Sequence, residues 1–318
     1  MSAVTARAPA KVNLQLAVGP QRPDGFHDVV TVYHAVSLFD EVTVAAAEQD
    51  SVAVTGEGAD QVPADAGNLA VRAVAALANA AGPDSRTSPG TAVRISKRIP
   101  VAAGLAGGSA DAAAALVAAN ELWRTGLSQA DLCEVAAEIG SDVAFALLGG
   151  TAIGVGRGER VTPALAAGTY HWVLAFATGG LSTARVYAAF DRISASRDGQ
   201  SAAEVTHLPR LALDTRLMAA LRSASATGLG PLLSNDLQPA ALSLRPDLRR
   251  ALAAGEEYGA LGAVVSGSGP TCAYLARDAG HAADLAVALA GAGVCRTVAA
   301  VTGPAPGAGV VGVVAETP

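Results

Sequence analysis

Residues 100 to 112 form a loop of small side chains that leads into a run of alanines. The loop reads Pro-Val-Ala-Ala-Gly-Leu-Ala-Gly-Gly-Ser-Ala-Asp-Ala. Because glycine and alanine keep bulky groups away, the backbone N–H groups of such a loop and the positive end of the following helix can approach an anion closely. The pattern indicates phosphate binding, although the same small residues also pack helices and strands tightly.

The loop differs from two common nucleotide-binding motifs. It contains no Lys-Ser or Lys-Thr pair, which a P-loop requires, and it lacks the Gly-x-Gly-x-x-Gly spacing of dinucleotide-binding folds. The glycine run also does not follow the opening strand, which disfavours a Rossmann oxidoreductase.

Composition limits the class of protein and its partners. The chain has 318 residues, 51% of them hydrophobic, which is enough for two domains with buried cores. Its formal net charge of −6, without a Lys/Arg cluster, argues against a nucleic-acid partner. Three widely spaced cysteines without a C-x-x-C pair predict free thiols rather than disulfides or a zinc site. Since we find no secretory signal pattern and no apolar run of about 20 residues, we expect a cytoplasmic protein without a membrane partner.

The first half of the sequence predicts strands and helices on both sides of the loop. Predicted strands cover 11–18, 29–38, 41–44 and 92–95, and predicted helices cover 68–81 and 111–123, with two more beginning after Ser128 and at Ser141. Ser128 is a predicted N-cap, and Gly140 and Gly149 are predicted helix ends. Asp142 is thereby placed in the first turn of a helix.

The second half predicts a separate unit. A strand is predicted over 172–177, helices over 182–193, 214–223, 246–257 and 281–290, and a strand, glycine turn and strand over 263–275. A change of composition at 165–169 predicts domains over 1–165 and 166–302. The polar residues 192–207 predict a surface loop, and the Pro/Gly-rich residues 303–318 predict a loosely held tail.

Three motifs, in this order, resemble those of the GHMP kinase superfamily. They are Pro-Ala-Lys-Val-Asn-Leu at 9–14, the small-residue loop at 100–112 and Ser-Gly-Ser-Gly-Pro-Thr at 266–271. Further segments are similar to the branch whose acceptor alcohol carries cytidine diphosphate: 24–27 (Asp-Gly-Phe-His), 67–69 (Gly-Asn-Leu), 97–100 (Lys-Arg-Ile-Pro), 140–143 (Gly-Ser-Asp-Val) and 235–237 (Asn-Asp-Leu). The resemblance implies an α+β fold of two domains, a ribosomal-protein-S5-like N-terminal domain and a ferredoxin-like C-terminal domain, with the active site in the cleft between them.

The resemblance also implies an activity. ATP, with Mg²⁺, would donate its γ-phosphoryl group to the 2-hydroxyl of a methylerythritol unit linked to cytidine diphosphate, on a route to isoprenoid precursors. The implied partner is this small molecule, and the implied assembly is a monomer or weak homodimer. Phosphoryl transfer requires mainly that a hydroxyl be aligned with the γ-phosphorus and that charge on the phosphoryl oxygens be offset.

By this resemblance Asp142 is the general base and Lys11 the catalytic lysine, so we expect the two to meet within hydrogen-bond reach beside the loop. Taken alone, Asp142 also fits a carboxylate that stabilises a helix N-terminus, and Lys11 fits a solvated lysine at a strand edge.

The implied binding residues fall into two groups. Those for ATP are Asn68, Lys97, Pro100, Gly104, Leu105, Gly107, Gly108 and Ser109, and Ser109 is also the candidate magnesium ligand or, alternatively, a helix N-cap. Those for the acceptor substrate are Asn13, Phe26, His27, Asp142, Thr183, Tyr187, Gly267 and Gly269, with the pyrimidine base near Phe26, His27 and Tyr187.

Two departures from the family pattern carry expectations. Phe26 stands where tyrosine is usual, so stacking on a base should survive without a phenolic hydroxyl. Ala102, Ala103 and Ala106 stand at positions that are often glycine, and we expect them to take ordinary backbone angles, leaving positive φ to the loop glycines.

Other functions remain open from the sequence. A homoserine or mevalonate type of kinase has the same superfamily motifs, but its acceptor has no base to stack on Phe26, His27 and Tyr187. A nucleotide sensor without turnover has the same fold, although the presence of both Lys11 and Asp142 disfavours it.

Overall fold

Two β-sheets organise the chain in this computed structural model, which describes residues 2–82, 88–198 and 211–314. An eight-stranded sheet comes mainly from the first half of the chain, and a four-stranded antiparallel sheet comes from the second half.

The elements of the first half are β1 (Ala3–Gln21), β2 (His27–Ala47), β3 (Ser51–Gly56), α1 (Leu69–Ala81), β4 (Gly90–Lys97), α2 (Gly107–Trp123), α3 (Gln129–Ile139), α4 (Val143–Leu148), β5 (Thr151–Gly156) and β6 (Arg160–Pro163). Those of the second half are β7 (Tyr170–Phe176), α5 (Thr183–Asp198), α6 (Thr215–Arg222), α7 (Ala226–Leu229), β8 (Ser234–Asn235), α8 (Gln238–Leu244), α9 (Asp247–Glu257), β9 (Gly262–Val265), β10 (Cys272–Ala276), α10 (Ala279–Gly291), β11 (Thr297–Gly303) and β12 (Gly309–Val314).

The long antiparallel pair of β1 and β2 is the frame of the first sheet. The strands predicted at 29–38 and 41–44 are one continuous strand, β2, which pairs with β5 near its start and with β4 near its end. Lys11 is opposite Ala35 and Asn13 is opposite Tyr33. Because side chains alternate along a strand, Lys11 and Asn13 lie on the same face of the sheet.

Helix α2 is buried along most of its length, as its near absence of charge predicts. It begins at Gly107, earlier than the predicted 111, because Ala106 turns the chain directly into the helix. Small alanine side chains let α2 pack closely on β1, β2 and α1. Its N-terminus lies at the end of the small-residue loop.

The second sheet has the strand order β11-β7-β10-β9. Apolar residues of α5, α8, α9 and α10 pack on this sheet in a separate core cluster. The helices predicted at 214–223, 246–257 and 281–290 correspond to α6, α9 and α10. The predicted strand, glycine turn and strand corresponds to β9, β10 and the turn between them, residues 266–271.

Residues 309–314 differ from the prediction of a loosely held tail over 303–318, and residues 315–318 lie outside the described residues. Strand β12 pairs antiparallel with β1 over Ala3–Arg7, so residues 309–314 complete the edge of the first sheet. An unpaired edge of β1 would expose backbone hydrogen-bonding groups, and the valine-rich β12 satisfies them. The boundary proposed between 165 and 166 falls between β6 and β7 and stays a prediction.

Two further expectations concern single segments. Helix α5 continues to Asp198, so the first part of the loop predicted at 192–207 is helical, and residues 199–207 lie outside the described residues. Cys133, Cys272 and Cys295 are free thiols. No helix in the described ranges combines the length and apolar character needed to cross a membrane.

Candidate active site

A cavity of about 680 Å³ opens beside the N-terminus of α2, with walls from both halves of the chain. Of the residues that the sequence predicts for the site, the cavity wall contains Lys11, Asn13, Phe26, His27, Gly104, Gly107, Gly108, Asp142, Thr183, Tyr187 and Gly267. The fold therefore brings together residues as far apart in sequence as Lys11 and Gly267.

Lys11 lies on β1 with its ammonium group buried beside the cavity. Its Nζ donates a hydrogen bond of 2.5 Å to Oδ1 of Asn13, and Nδ2 of Asn13 donates one of 2.7 Å to Oγ1 of Thr31. Burial lowers the pKa of Lys11, and the Asp142 carboxylate partly offsets this effect. A buried cation whose hydrogen-bond partner is a neutral amide is a favourable site for an anionic ligand.

Asp142 immediately precedes α4, but its side chain makes no capping hydrogen bond to that helix. Its Oδ1 instead accepts a hydrogen bond of 2.7 Å from Oη of Tyr33. Burial, together with the Asp142 carboxylate, raises the pKa of Tyr33 well above its ordinary value, so the hydroxyl keeps its proton and is the donor. Asp142 therefore stands at the N-terminus of α4, as its macrodipole alternative expects, but its side chain is held by Tyr33 and not by a capping bond.

The expected direct contact between Lys11 and Asp142 is absent from the described part of the chain. Lys11 hydrogen-bonds to Asn13, and Asp142 hydrogen-bonds to Tyr33, although both charged groups line the same cavity. Asn13 and Tyr33 are opposite each other across the β1–β2 pair, so the hairpin itself supplies the nearest partner of each group.

The small-residue loop takes a backbone course that the sequence analysis predicted wrongly. Ala102 and Ala106 have positive φ angles of 51° and 59°, whereas Gly107 and Gly108 already belong to α2. A left-handed conformation costs an alanine about 1–2 kcal/mol, so tertiary packing must impose it here. Of the loop glycines, Gly104 does have the expected positive φ, 75°.

The turn between β9 and β10 packs directly against this loop. A Cβ at Gly104 would lie 2.1 Å from the carbonyl oxygen of Ser266, and a Cβ at Gly267 would lie 2.8 Å from Nζ of Lys11. Nδ2 of Asn235 donates a hydrogen bond of 2.7 Å to the carbonyl of Gly267. Only glycine fits at these two positions, which bring the turn, the loop and Lys11 together.

His27 is buried in the same cavity wall. Its Nδ1 is 2.9 Å from the carbonyl of Gly19, which can only accept, so Nδ1 carries the proton. Its Nε2 is buried without a hydrogen-bond partner, 3.5 Å from Oδ1 of Asp191. In the neutral ring, Nε2 is therefore a buried acceptor without a hydrogen-bond partner, beside the carboxylate of Asp191.

Aromatic rings pack around His27. The rings of His27 and Tyr187 have centroids 4.9 Å apart, and burial raises the pKa of Tyr187 to about 12, so it stays a neutral phenol. Phe26 is 50% exposed, and the guanidinium of Arg157 lies 4.9 Å from its ring centroid. Phe26 and Tyr187 thus offer apolar faces at the same end of the cavity.

Six predicted site residues lie outside the cavity wall: Asn68, Lys97, Pro100, Leu105, Ser109 and Gly269. Lys97, expected near the nucleoside of ATP, is buried and its Nζ forms ion pairs with Asp40 and, at 2.7 Å, with Asp111. Asn68 caps α1, since its Oδ1 accepts a hydrogen bond from the backbone N–H of Ala70.

The remaining four have other surroundings. Leu105 is a core residue whose carbonyl accepts a hydrogen bond from the backbone N–H of Lys11. Pro100 lines a second, smaller cavity of about 280 Å³. Ser109 is a partly exposed residue in the first turn of α2, and Gly269 packs against Val265.

The cavity wall also contains residues that sequence reasoning missed, among them Tyr33, Arg157 and Ser268. The hydroxyl of Ser268 is 2.9 Å from that of Thr183 and links the β9–β10 turn to α5. Arg157 stands between two glycines, which is a signal for a turn but not for its position in the fold. Tyr33 can be identified as a cavity residue only when the pairing of β2 with β1 is known.

Similarity to known proteins identifies the family of this chain. The model of the GHMP kinase N-terminal domain matches residues 68–150, and that of the GHMP kinase C-terminal domain matches residues 217–295. A 4-diphosphocytidyl-2-C-methyl-D-erythritol kinase of Mycolicibacterium gilvum is 55% identical, over 97% of this chain and 92% of that protein. The chain belongs to the 4-diphosphocytidyl-2-C-methyl-D-erythritol kinase family of GHMP kinases. Another member of this kinase family, from Nocardia farcinica, is 53% identical over 98% of this chain and 97% of that protein.

Solved structures support the same family and fold. A crystal structure of a 4-(cytidine 5'-diphospho)-2C-methyl-D-erythritol kinase is 31% identical, with a TM-score of 0.71 over 94% of this chain and 98% of that one. A homoserine kinase from Cytophaga hutchinsonii is 19% identical, with a TM-score of 0.70 over 97% of each chain, and this likeness shows the fold alone. The predicted two-domain α+β fold of a GHMP kinase is confirmed, and the Rossmann alternative is wrong.

Proposed function

We propose that this chain transfers the γ-phosphoryl group of ATP to the 2-hydroxyl of 4-diphosphocytidyl-2-C-methyl-D-erythritol, giving the 2-phosphate and ADP. The supporting observation is that Lys11, Asp142 and the small-residue loop line one cavity, whose wall also contains His27 and Tyr187. One space thus offers catalytic groups and a surface for a base. The relatives' name refers to the same substrate.

In the proposed step, the 2-oxygen forms a bond to the γ-phosphorus while the bond from this phosphorus to the β,γ-bridging oxygen breaks and ADP leaves. Asp142 takes the hydroxyl proton, and Lys11 offsets the charge on the transferring phosphoryl group. The backbone N–H groups and the positive end of α2 hold the phosphates. Positioning and charge stabilisation supply most of the catalysis of such transfers.

We also propose that Mg²⁺ accompanies ATP, with Ser109 and the phosphate oxygens as its donors. The described residues contain no cluster of three or more His, Cys, Asp or Glu side chains suited to a metal. This donor set fits magnesium, which keeps several waters and binds largely through substrate phosphates. When bound, it neutralises charge on the β- and γ-phosphates. Since the reaction draws on ATP, we place it in the cytoplasm.

For the cytidyl end, a ring nitrogen or the backbone amide of His27, which lies in the cavity wall, would read the polar edge of cytosine. Tyr187 and Phe26 supply stacking faces for the base. A homoserine or mevalonate acceptor has no base to use these groups.

The test is ADP release from ATP, magnesium and a panel of alcohols that includes the cytidyl-linked one, homoserine and mevalonate. Asp142→Asn should lower kcat about 10²- to 10⁴-fold while ATP binding, measured by calorimetry, stays nearly intact. Asp284→Asn, at an exposed position in α10, is the matched control. Unchanged turnover in Asp142→Asn would remove Asp142 from the mechanism.

The base pocket has a separate test. His27→Ala should raise KM for the cytidyl substrate and leave KM for ATP unchanged. An equal loss for both would mean that the base binds elsewhere. Turnover of homoserine or mevalonate would support the alternative kinase, and ATP binding without any turnover would support the sensor.

A further inference from the structure

Tyr33 occupies a slot that the fold builds around its ring and hydroxyl. The side chain is buried, and its ring stacks on Phe145 of α4 with centroids 4.7 Å apart and planes at 23°. A Cβ at Gly154 would lie 2.5 Å from Cε2 of Tyr33, and a Cβ at Gly158 would lie 2.3 Å from Oη. Gly154 and Gly158, both in the β5–β6 hairpin, therefore leave room for a tyrosine in this position.

The hydroxyl in this slot is directed at the carboxylate of Asp142. It donates a hydrogen bond of 2.7 Å to Oδ1 of Asp142, the carboxylate that α4 itself leaves without a capping bond. Since Phe145 stacks under the ring and belongs to the helix that Asp142 precedes, the ring and the carboxylate are held by the same element.

We propose that Tyr33 is a positioning residue for phosphoryl transfer, holding Asp142 by Oδ1 so that Oδ2 is left to accept the proton of the acceptor hydroxyl. This inference rests on the proposed function of Asp142 as the base. A hydrogen bond from a neutral phenol to a carboxylate is charge-assisted, so it fixes the orientation of the carboxylate more strongly than a bond between two neutral groups would.

Other charged or titratable groups act near the same pair. Lys11 of β1 and Tyr187 of α5 interact electrostatically with Asp142, and Glu159, in the β5–β6 turn, interacts with Tyr33. Arg157 lines the cavity from the same turn. Each of these groups remains in place when the Tyr33 hydroxyl alone is removed.

The test uses Tyr33→Phe, which keeps the ring and its stacking and removes only the hydroxyl. The single-turnover rate should fall about 10- to 100-fold, with KM for both substrates nearly unchanged. The loss should appear in kcat and not in KM, because the hydroxyl orients the carboxylate and is not proposed to bind either substrate. Tyr258→Phe, the same change at an exposed tyrosine after α9, is the control and should leave both readouts unchanged.

A double variant separates positioning from a general structural effect. If Tyr33 acts through Asp142, adding Tyr33→Phe to Asp142→Asn should lower the rate no further. Full additivity of the two changes, or an unchanged single-turnover rate in Tyr33→Phe, would overturn the proposal. Failure of the proposed function itself is distinct, since the unmodified chain would then release no ADP with the cytidyl substrate.

Discussion

Lys11 and Lys97 are both buried, at 5% and 4% exposure, yet their surroundings act on them in opposite directions. Burial lowers the pKa of Lys11, and one carboxylate offsets this only in part. Burial also acts to lower the pKa of Lys97, but the carboxylates of Asp111 and Asp40 outweigh it and raise the pKa. A lysine held by two carboxylates stabilises the fold, whereas one held by an amide keeps its charge available for a ligand.

The small-residue loop runs between these two lysines. The backbone N–H of Lys11 donates to the carbonyl of Leu105 at one side of the loop. At the other side, a Cβ at Gly107 would lie 3.1 Å from Nζ of Lys97. Lys97 therefore supports the loop from within the core, and Lys11 faces the space where the phosphates are proposed to bind.

The largest expected effect is on stability at Lys97. Lys97→Met should lower the free energy of unfolding by about 3–5 kcal/mol, because Asp40 and Asp111 would be left buried without a cation. Urea unfolding at pH 7 measures this, with the exposed Arg98→Met as the control. A loss no greater than that of the control would contradict the structural role of Lys97.

The next effect is on turnover at Lys11. Lys11→Met should lower kcat about 10²- to 10³-fold, the usual effect of removing one group that stabilises transition-state charge. The free energy of unfolding should change far less than in Lys97→Met, since no carboxylate loses a direct partner. If Lys11→Met and Lys97→Met lowered the free energy of unfolding equally, the proposed difference in role between the two lysines would be contradicted.

A smaller effect concerns pH. Burial, with the neighbouring Asp40, raises the pKa of Asp111 to about 7 even though Lys97 opposes the shift. The folded pKa lies above the unfolded one, so the stability from protonated Asp111 is present below about pH 4 and is lost as pH rises through about 7. Asp111→Asn cannot titrate and should remove this decline.

The measurement is the free energy of unfolding from urea titrations at several pH values between 5 and 7.5. The free energy of unfolding of the unmodified chain should fall by about 2–3 kcal/mol more across this range than that of Asp111→Asn does. Asp284→Asn, at an exposed position, should follow the unmodified chain. Parallel pH curves for the unmodified chain and Asp111→Asn would show that Asp111 is ionised throughout the range.

The smallest effect is on the loop between the lysines. Ala106→Gly should raise the free energy of unfolding by up to about 1 kcal/mol, because relief of about 1–2 kcal/mol of left-handed strain exceeds the entropic cost of about 0.4–1 kcal/mol. Thermal unfolding measures the gain. Ala103→Gly, in the same loop at an ordinary φ, should instead destabilise the chain.

Local chemistry in the sequence was enough for much of the fold. Ser128 caps α3 as predicted, because a cap depends on residues within one helical turn. Asn68, the first residue of the helix predicted over 68–81, caps α1. The three motifs predicted the superfamily, and the alternation along 11–18 predicted part of β1. Most of the predicted substrate residues also line the cavity, since they come from motifs that the family pattern already groups together.

The sequence by itself thus determined the types of the elements and the set of motifs, because caps, periodicity and turns act over a few residues. Tertiary structure alone decided that Tyr33 contacts Asp142, that Lys97 lies between Asp40 and Asp111, and that β12 completes the edge of β1. It also imposed positive φ on Ala106, against the local preference of alanine. The physical reason is that these features depend on which distant segments pack together, and the free energy of that packing outweighs the local preferences that a sequence pattern reports.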